Sequence, residues 1–252
     1  MKISSISENK FLKKVLVTGF WLILWQVLSV IISEEILLVS PLSAFKKLFE
    51  LIVTESYWMA IFSSLSKILL GLFLSILLGI IIAIFSFLSS IFKELTHPMI
   101  SFFRSIPVAS FVIFLLVWIN SAYLSIYISF FMGMPIIFEN VYRGIISVDE
   151  KLIEMADSFD VGSSKRFQYI YKIKVLPYLQ AGIMTASGLI FKSAVAAEII
   201  GLQRNSIGEN LYNAKIYLNM PELFAWTITI LVLSMIFEKA IEILLGDKNA
   251  GI

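Results

Sequence analysis

Three charged residues interrupt long apolar runs of this sequence, and each could act on a polar group inside a membrane. Lys67, Lys192 and Glu198 are flanked on both sides by mostly aliphatic and aromatic residues. Charged side chains in such runs are costly to place in lipid, and they mark ion pairs or solute pathways. Lys67 and Glu198 could form an ion pair between two spans. Lys192 could attract an anion, reach toward the interface or pair with a carboxylate.

Several other kinds of chemistry are excluded by residue content. The chain has no cysteine, so thiolate metal sites and disulfides are absent. No glycine is followed by lysine, so the phosphate-binding pattern G-x-x-x-x-G-K-[ST] is missing, and so is the zinc-binding pattern H-E-x-x-H. A net charge of +2 is too small to indicate nucleic acid. We therefore expect no catalytic residue, no metal, no cofactor bound by this chain and no nucleic-acid partner.

The elements that position the charged residues are membrane-spanning helices. The chain is 59% hydrophobic, above the 45–50% typical of soluble domains, and its apolar runs approach or exceed the ~20 residues that cross a bilayer. Six spans are predicted at 15–32, 64–88, 99–119, 123–143, 178–200 and 223–245. Pro107 and Pro135 should kink or end the third and fourth. The expected fold is an all-α membrane protein with one transmembrane domain, 15–245, between tails 1–14 and 246–252.

Small residues and basic residues add two further predictions. Gly71, Ser75, Gly79 and Ala83 recur every fourth residue in the second span, which allows another helix to approach closely. Lysine and arginine favour cytoplasmic segments. With the N-terminus inside, fourteen of the twenty basic residues fall in cytoplasmic segments and four in outer ones. Both termini are therefore predicted to be cytoplasmic.

The longest cytoplasmic connection, about 147–177, is charged and amphipathic. A capping-box pattern S-x-x-E at Ser147 predicts a helix start. Gly162 predicts a left-handed helix end, and Ser163 or Ser164 could cap a second helix that Pro177 ends. The apolar face of the first helix would comprise Leu152, Ile153, Ala156 and Phe159. Such a helix pair is either a solvated connector or a docking element for a soluble partner.

This segment resembles the EAA loop of permease subunits of bacterial ABC importers, through Glu154, Ala156, Gly162, Ile173, Leu176 and Pro177. Met155 stands where that motif has alanine, and Asp160 where it usually has glycine. The stretches "HPMISFFRSIPVASFVIFLLVWIN" and "FKSAVAAEIIG" resemble further segments of the family. The similarity is closest to the nitrate, sulfonate and taurine branch, which also contains permeases for pyrimidine precursors of thiamine.

The resemblance implies a fold and a set of partners. Spans two to six would form a type I importer (MetI-like) permease core, and a second permease subunit, most simply a second copy, would complete the path. The loop would dock on a separate ABC ATPase that uses the ATP, so this chain is not itself an enzyme. An extracellular or periplasmic binding protein would deliver a small solute, and the chain would lie among lipids of the bacterial inner membrane. A secondary, ion-coupled transporter is the alternative.

Overall fold

The chain is predominantly helical over the residues that its computed structural model describes, 10–34 and 36–246, with side chains from Lys13 onward. Residues 1–9 and 247–252, which make up most of the two predicted tails, lie outside these ranges. Eleven α-helices are described: α1 (Lys10–Ile32), α2 (Pro41–Ile52), α3 (Glu55–Leu88), α4 (Ser90–Ser105), α5 (Val108–Leu116), α6 (Leu124–Ile146), α7 (Glu150–Ser158), α8 (Ser163–Arg166), α9 (Lys172–Ile200), α10 (Ile207–Ile216) and α11 (Met220–Gly246).

The six predicted spans coincide with helices α1, α3, α4 with α5, α6, α9 and α11. By length and composition, four stretches of the described residues can cross a membrane: Lys13–Ile32, Glu55–Leu88, Ser121–Ile146 and Ser163–Ile200. The predicted third span is broken, because α4 and α5 meet at an angle of 106°; counted as one span, the pair makes a fifth. Pro107 lies at this break and precedes α5. Pro135, by contrast, lies inside α6 without ending it.

The chain divides into two compact units, and the first comprises Met1–Trp58 and Asn210–Ile230. Helix α2, which the sequence analysis missed, begins after Ser40, whose hydroxyl accepts the Ser43 N–H at 3.1 Å. The Tyr57 hydroxyl lies 2.9 Å from the Thr229 hydroxyl, so the first turn of α3 is hydrogen-bonded to α11. These contacts hold the helix ends of this unit together.

The second unit comprises Met59–Glu209 and Leu231–Ile252, and its centre is the packing of α3, α6 and α9. The small-residue face of α3 lies against α6, as predicted. A Cβ atom at Gly79 would lie 2.8 Å from Ile137 Cγ2, and the buried Ser75 hydroxyl donates to the Phe130 carbonyl at 3.0 Å. On α9, a Cβ atom at Gly182 would lie 2.9 Å from Asn140 Cβ. Glycine therefore permits both close approaches.

Candidate functional site

Helix α7 forms the first half of the charged connection, and Asp149 caps it. The Asp149 carboxylate accepts the Lys151 N–H at 2.9 Å. The prediction that the helix starts from Ser147 is therefore wrong. Ser147 instead ends α6, and its hydroxyl donates to the Gly144 carbonyl at 2.9 Å. Asp149 is an equally good N-cap residue that lies two positions later, so the S-x-x-E spacing was coincidental.

Helix α7 ends in a Schellman turn centred on Asp160. Asp160 has a φ of 50°, and the Val161 N–H closes the turn on the Ala156 carbonyl at 2.9 Å. Gly162 was predicted to take this left-handed position, but its φ is −61°, and it precedes α8 without a side-chain cap. The prediction of a serine cap is therefore also wrong. Aspartate tolerates the left-handed conformation better than most residues, which allows the turn to form two residues early.

Arg166 ties the turn to the second half of the connection. Its Nε donates to the Val161 carbonyl at 2.6 Å, and its Nη1 forms an ion pair with Asp157 of α7. The Arg166 side chain is only 26% exposed. One guanidinium therefore bridges α7, the Schellman turn and α8. The sequence marks Arg166 only as a basic residue, because nothing in the spacing shows that its side chain folds back over the turn.

The second half of the connection is not a separate helix. The stretch Ser163–Ile200 is continuously helical, with a π-helical segment at Phe167–Tyr171. Pro177 lies inside α9, so the prediction that it ends one helix or begins the next is wrong. Proline removes the hydrogen bond to the carbonyl four residues earlier. That carbonyl belongs to Ile173, a residue that is itself exposed.

The residues matched to the EAA loop are spread over both halves of the connection. Ala156 is buried and anchors α7, whereas Glu154, Met155, Asp160, Gly162, Ile173, Leu176 and Pro177 are exposed. Met155 is 53% and Phe159 77% exposed, and the two side chains follow Leu152 along one face of α7. Helix α7 thus exposes an apolar face, although most of its other exposed residues are charged. We call Leu152, Met155 and Phe159 the α7 apolar face.

Glu198 is fully buried near the end of α9. Its Oε2 accepts the Ser64 hydroxyl of α3 at 2.9 Å and the Gly208 N–H of α10 at 3.2 Å. The Ile207 N–H donates in turn to the Ser64 hydroxyl at 3.0 Å. The N-terminus of α10, whose first N–H groups have no acceptor within the helix, thus meets a carboxylate. A Cβ atom at Gly208 would lie 2.6 Å from the Ile199 backbone nitrogen, so glycine is needed there.

Gln203 extends the contacts of Glu198 to α6. The fully buried Gln203 amide donates from Nε2 to Glu198 Oε1 at 3.4 Å, and its Oε1 accepts the Ser125 hydroxyl at 3.1 Å. Lys67 is half-buried on α3 and forms no ion pair with Glu198. The carboxylate takes neutral donors instead, because Ser64, three residues earlier, occupies the facing position. Glu198 is thus a structural link among α3, α6, α9 and α10.

Lys192 lies on another, exposed face of α9 and pairs with a carboxylate that was not predicted from the sequence. Its Nζ lies 3.9 Å from Glu238 Oε1 of α11, and the two side chains are 70% and 45% exposed. Glu238 also accepts the Ser234 hydroxyl at 3.1 Å. Glu238 interrupts an apolar run just as Lys192 does, so the same rule applied to the last span would have found it.

A second missed carboxylate, Glu139, lies inside the predicted fourth span. Its Oε1 lies 2.8 Å from Arg143 Nη2, one turn along α6, and its Oε2 lies 3.6 Å from Arg104 Nη1 of α4. All three side chains are partly exposed. Charged residues of the second unit therefore lie on α4, α6 and α11 as well as on α3 and α9, which carry the three charged residues first identified.

Comparison with known proteins matches residues 75–244 to the binding-protein-dependent transport system inner membrane component family. A probable ABC transporter permease of Brucella melitensis is 24% identical over 83% of this chain and 85% of its own length. The taurine transport system permease TauC of Escherichia coli is 23% identical over 87% and 82%. The putative aliphatic sulfonates transport permease SsuC of Bacillus subtilis is 22% identical over 93% and 85%.

Among solved structures, a chain of the MetNI methionine ABC transporter in an inward-facing form superimposes with a TM-score of 0.61. The similarity covers 75% of this chain and 95% of that chain at 12% identity, which establishes a common fold. It agrees with the order of helices predicted for a MetI-like core. The family match includes α7, Arg166, Glu198 and Glu238 within its range. This chain belongs to the binding-protein-dependent transport system inner membrane component family, and it is a multi-pass permease subunit of an ABC importer in the inner membrane.

Proposed function

We propose that this permease carries small solutes with an acidic group, that an extracellular binding protein delivers them, and that α7 docks on the ATPase. The exposed α7 apolar face carries this proposal. It is a short helix with an unpartnered apolar side, held by a Schellman turn and Arg166. A loose connector would not transmit movement. Because the Schellman turn and Arg166 fix its C-terminal end, α7 moves together with whatever binds its exposed side.

The proposed orientation places α7 and both termini in the cytoplasm. The basic-residue bias supports this, since fourteen of the twenty lysines and arginines then face inside. Helix α7 follows directly on α6 and leads into Ser163–Ile200, so it lies where two spans leave the membrane on one side. A soluble ATPase on that side can reach the exposed Glu154 of α7 and the exposed Gly162 in the turn that follows it.

The proposed solute class rests on relatives and on charge within the spans. Two relatives are named for taurine and for aliphatic sulfonates, both of which carry a sulfonate group. Lys192 offers an exposed ammonium group within α9. We infer that two copies of the chain, or one copy and a related subunit, enclose the path, because one chain leaves this charged position uncovered. Nitrate and pyrimidine precursors of thiamine are the alternative solutes.

The decisive experiment is purification with the cognate ATPase and reconstitution in nanodiscs with the binding protein. The proposal predicts ATP hydrolysis that rises when loaded binding protein is added. Gly162→Trp and Glu154→Lys should each reduce this stimulation about tenfold, because Glu154 is exposed on α7, Gly162 is exposed in the turn after it, and neither change fills occupied space; no atom lies within 4 Å of a Cβ at Gly162.

Gly246→Trp is the matched control, since a Cβ there is equally free of neighbours. It should leave stimulated hydrolysis unchanged, and all variants should purify in similar yield. Full stimulation in Gly162→Trp and Glu154→Lys would show that α7 does not dock on the ATPase. Uptake driven by an ion gradient without the ATPase would instead support the secondary-transporter alternative.

A further inference from the structure

Lys192 and Glu238 form an open pair of opposite charges, which we call the α9–α11 pair. Their Nζ and Oε1 atoms are 3.9 Å apart, beyond the 2.7–3.2 Å of a direct N–H···O hydrogen bond. Gly188 makes room for the carboxylate, because a Cβ there would lie 2.9 Å from Glu238 Oε1. Ser234 fixes the same oxygen at 3.1 Å. The carboxylate is therefore held in place by α9 and α11, while most of the lysine extends away from them.

The α9–α11 pair lies within two predicted spans: Lys192 is in Ser163–Ile200, which is long and apolar enough to cross a membrane, and Glu238 is in the predicted span 223–245. Near the loop end of α9, Gln180 Nε2 donates to the Leu245 carbonyl of α11 at 2.7 Å. Lys192 lies twelve residues beyond Gln180 and eight before Ile200, or about 18 Å and 12 Å along the helix. Two exposed charges at this depth are strongly unfavourable in contact with lipid tails. The pair therefore faces a water-filled path or another protein surface.

Lys192 can donate, and Glu238 can accept, more hydrogen bonds than the described residues supply. An ammonium group has three N–H donors, and a carboxylate has about four acceptor positions. Among the described residues, Lys192 has only the 3.9 Å contact, and Glu238 accepts one hydrogen bond, from Ser234. A simple anion would be attracted by Lys192 but repelled by the adjacent carboxylate. A molecule with one acidic group and one ammonium group satisfies both charges at once.

We propose that the α9–α11 pair is a transient site for a zwitterionic solute, with the acidic group on Lys192 and the ammonium group on Glu238. This inference rests on the proposed function, since it places the pair on the transport path. It narrows the solute from any acidic molecule to one of the amino-acid or amino-sulfonate type. The carboxylate then discriminates against solutes that lack an ammonium group.

The test compares taurine with ethanesulfonate, which keeps the sulfonate but lacks the ammonium group. The assembled transporter, with its ATPase and binding protein, is placed in proteoliposomes, and each variant's initial uptake is divided by that of the unmodified protein for the same solute. Glu238→Gln should lower taurine uptake about tenfold or more and leave ethanesulfonate within twofold, because one charge-assisted contact is lost. Lys192→Met should lower both.

Lys239→Met serves as the control, since Lys239 neighbours the pair in sequence but binds Glu242 at 2.8 Å. Yield and ATPase association are measured for every variant, and Lys192→Glu combined with Glu238→Lys tests whether reversed charges keep taurine uptake. Equal effects of Glu238→Gln on both solutes, no effect, or no taurine uptake by the unmodified protein would overturn the inference. If no solute is taken up when ATP is supplied, the proposed function itself is wrong. If ATP drives uptake but the variants do not change the selectivity between taurine and ethanesulfonate, only the inference about the α9–α11 pair is wrong.

Discussion

Removing the Arg166 guanidinium tests whether α7 must be held rigidly to couple to the ATPase. Arg166→Ala deletes the 2.6 Å hydrogen bond to the Val161 carbonyl and the ion pair with Asp157. A hydrogen bond from a charged donor contributes about 1.5–3 kcal/mol. The ion pair adds at most about 1 kcal/mol, because the Asp157 side chain is 60% exposed and solvent screens it. Rehydration of the freed carbonyl offsets part of the loss.

The net effect is about 2 kcal/mol against the packed arrangement of α7, or roughly 30-fold in its equilibrium. Hydrogen exchange should show this directly, because the N–H groups of Phe159, Asp160 and Val161 close the Schellman turn. We expect their protection to fall roughly 30-fold in Arg166→Ala. ATP hydrolysis stimulated by loaded binding protein should fall with it, while hydrolysis by the isolated ATPase stays the same.

Two further variants separate rigidity from charge. Lys165→Ala removes the same charge one residue earlier, but the described Lys165 side chain is exposed and makes no ion pair, so protection of the turn should not change. Arg166→Lys keeps the charge and loses the planar fork, so it should give an intermediate result. If Arg166→Ala keeps both turn protection and stimulated hydrolysis, the guanidinium does not hold α7 and the reasoning is wrong.

Three other predictions concern stability and can be checked by thermal unfolding in detergent. Glu198→Ala leaves three buried donors without their acceptor and should cost about 3 kcal/mol, whereas Glu242→Ala, which removes an exposed ion pair, should cost less than about 1 kcal/mol. Gly79→Leu should destabilise by about 1–3 kcal/mol or more, because its side chain meets α6, while Gly19→Leu, with open space around it, should be tolerated. Asp160→Gly should preserve or slightly raise stability and Asp160→Val should lower it by about 1–2 kcal/mol, since valine disfavours a φ of 50°; equal unfolding temperatures within any pair would contradict its physical reason.

Four or five of the six predicted spans, and the close packing of α3 on α6, could be read from sequence because each depends on residues near one another in the chain. Apolar length predicts a membrane helix, and the four-residue spacing that begins at Gly71 predicts a face of small residues. The sequence predicted the position of the break between α4 and α5 but not its angle of 106°. Pro107 marked its place, but a proline does not state how far the following helix turns.

The contacts of the charged residues could not be read in the same way. Which residue meets Glu198 depends on the rotation of α3 and on where α10 begins, and Ser64 rather than Lys67 faces the carboxylate. The turn after α7 depended on a choice between Asp160 and Gly162. Glycine is the usual residue for a left-handed position, so this general preference predicted Gly162 rather than Asp160. The role of Arg166 depends on a side chain that folds back, which leaves no periodic pattern.

The uninterrupted helix from Ser163 to Ile200 gives the molecule a mechanical property. Its 38 residues correspond to a length of about 57 Å. Arg166 binds α7 and its C-terminal turn near one end of this helix, and Glu198 contacts three other helices, directly or through Gln203, near the opposite end. A tilt of about 10° around the middle of such a lever displaces each end by about 5 Å in opposite directions. A small rotation imposed at α7 would thus displace the opposite end of this helix by nearly the length of one helical turn.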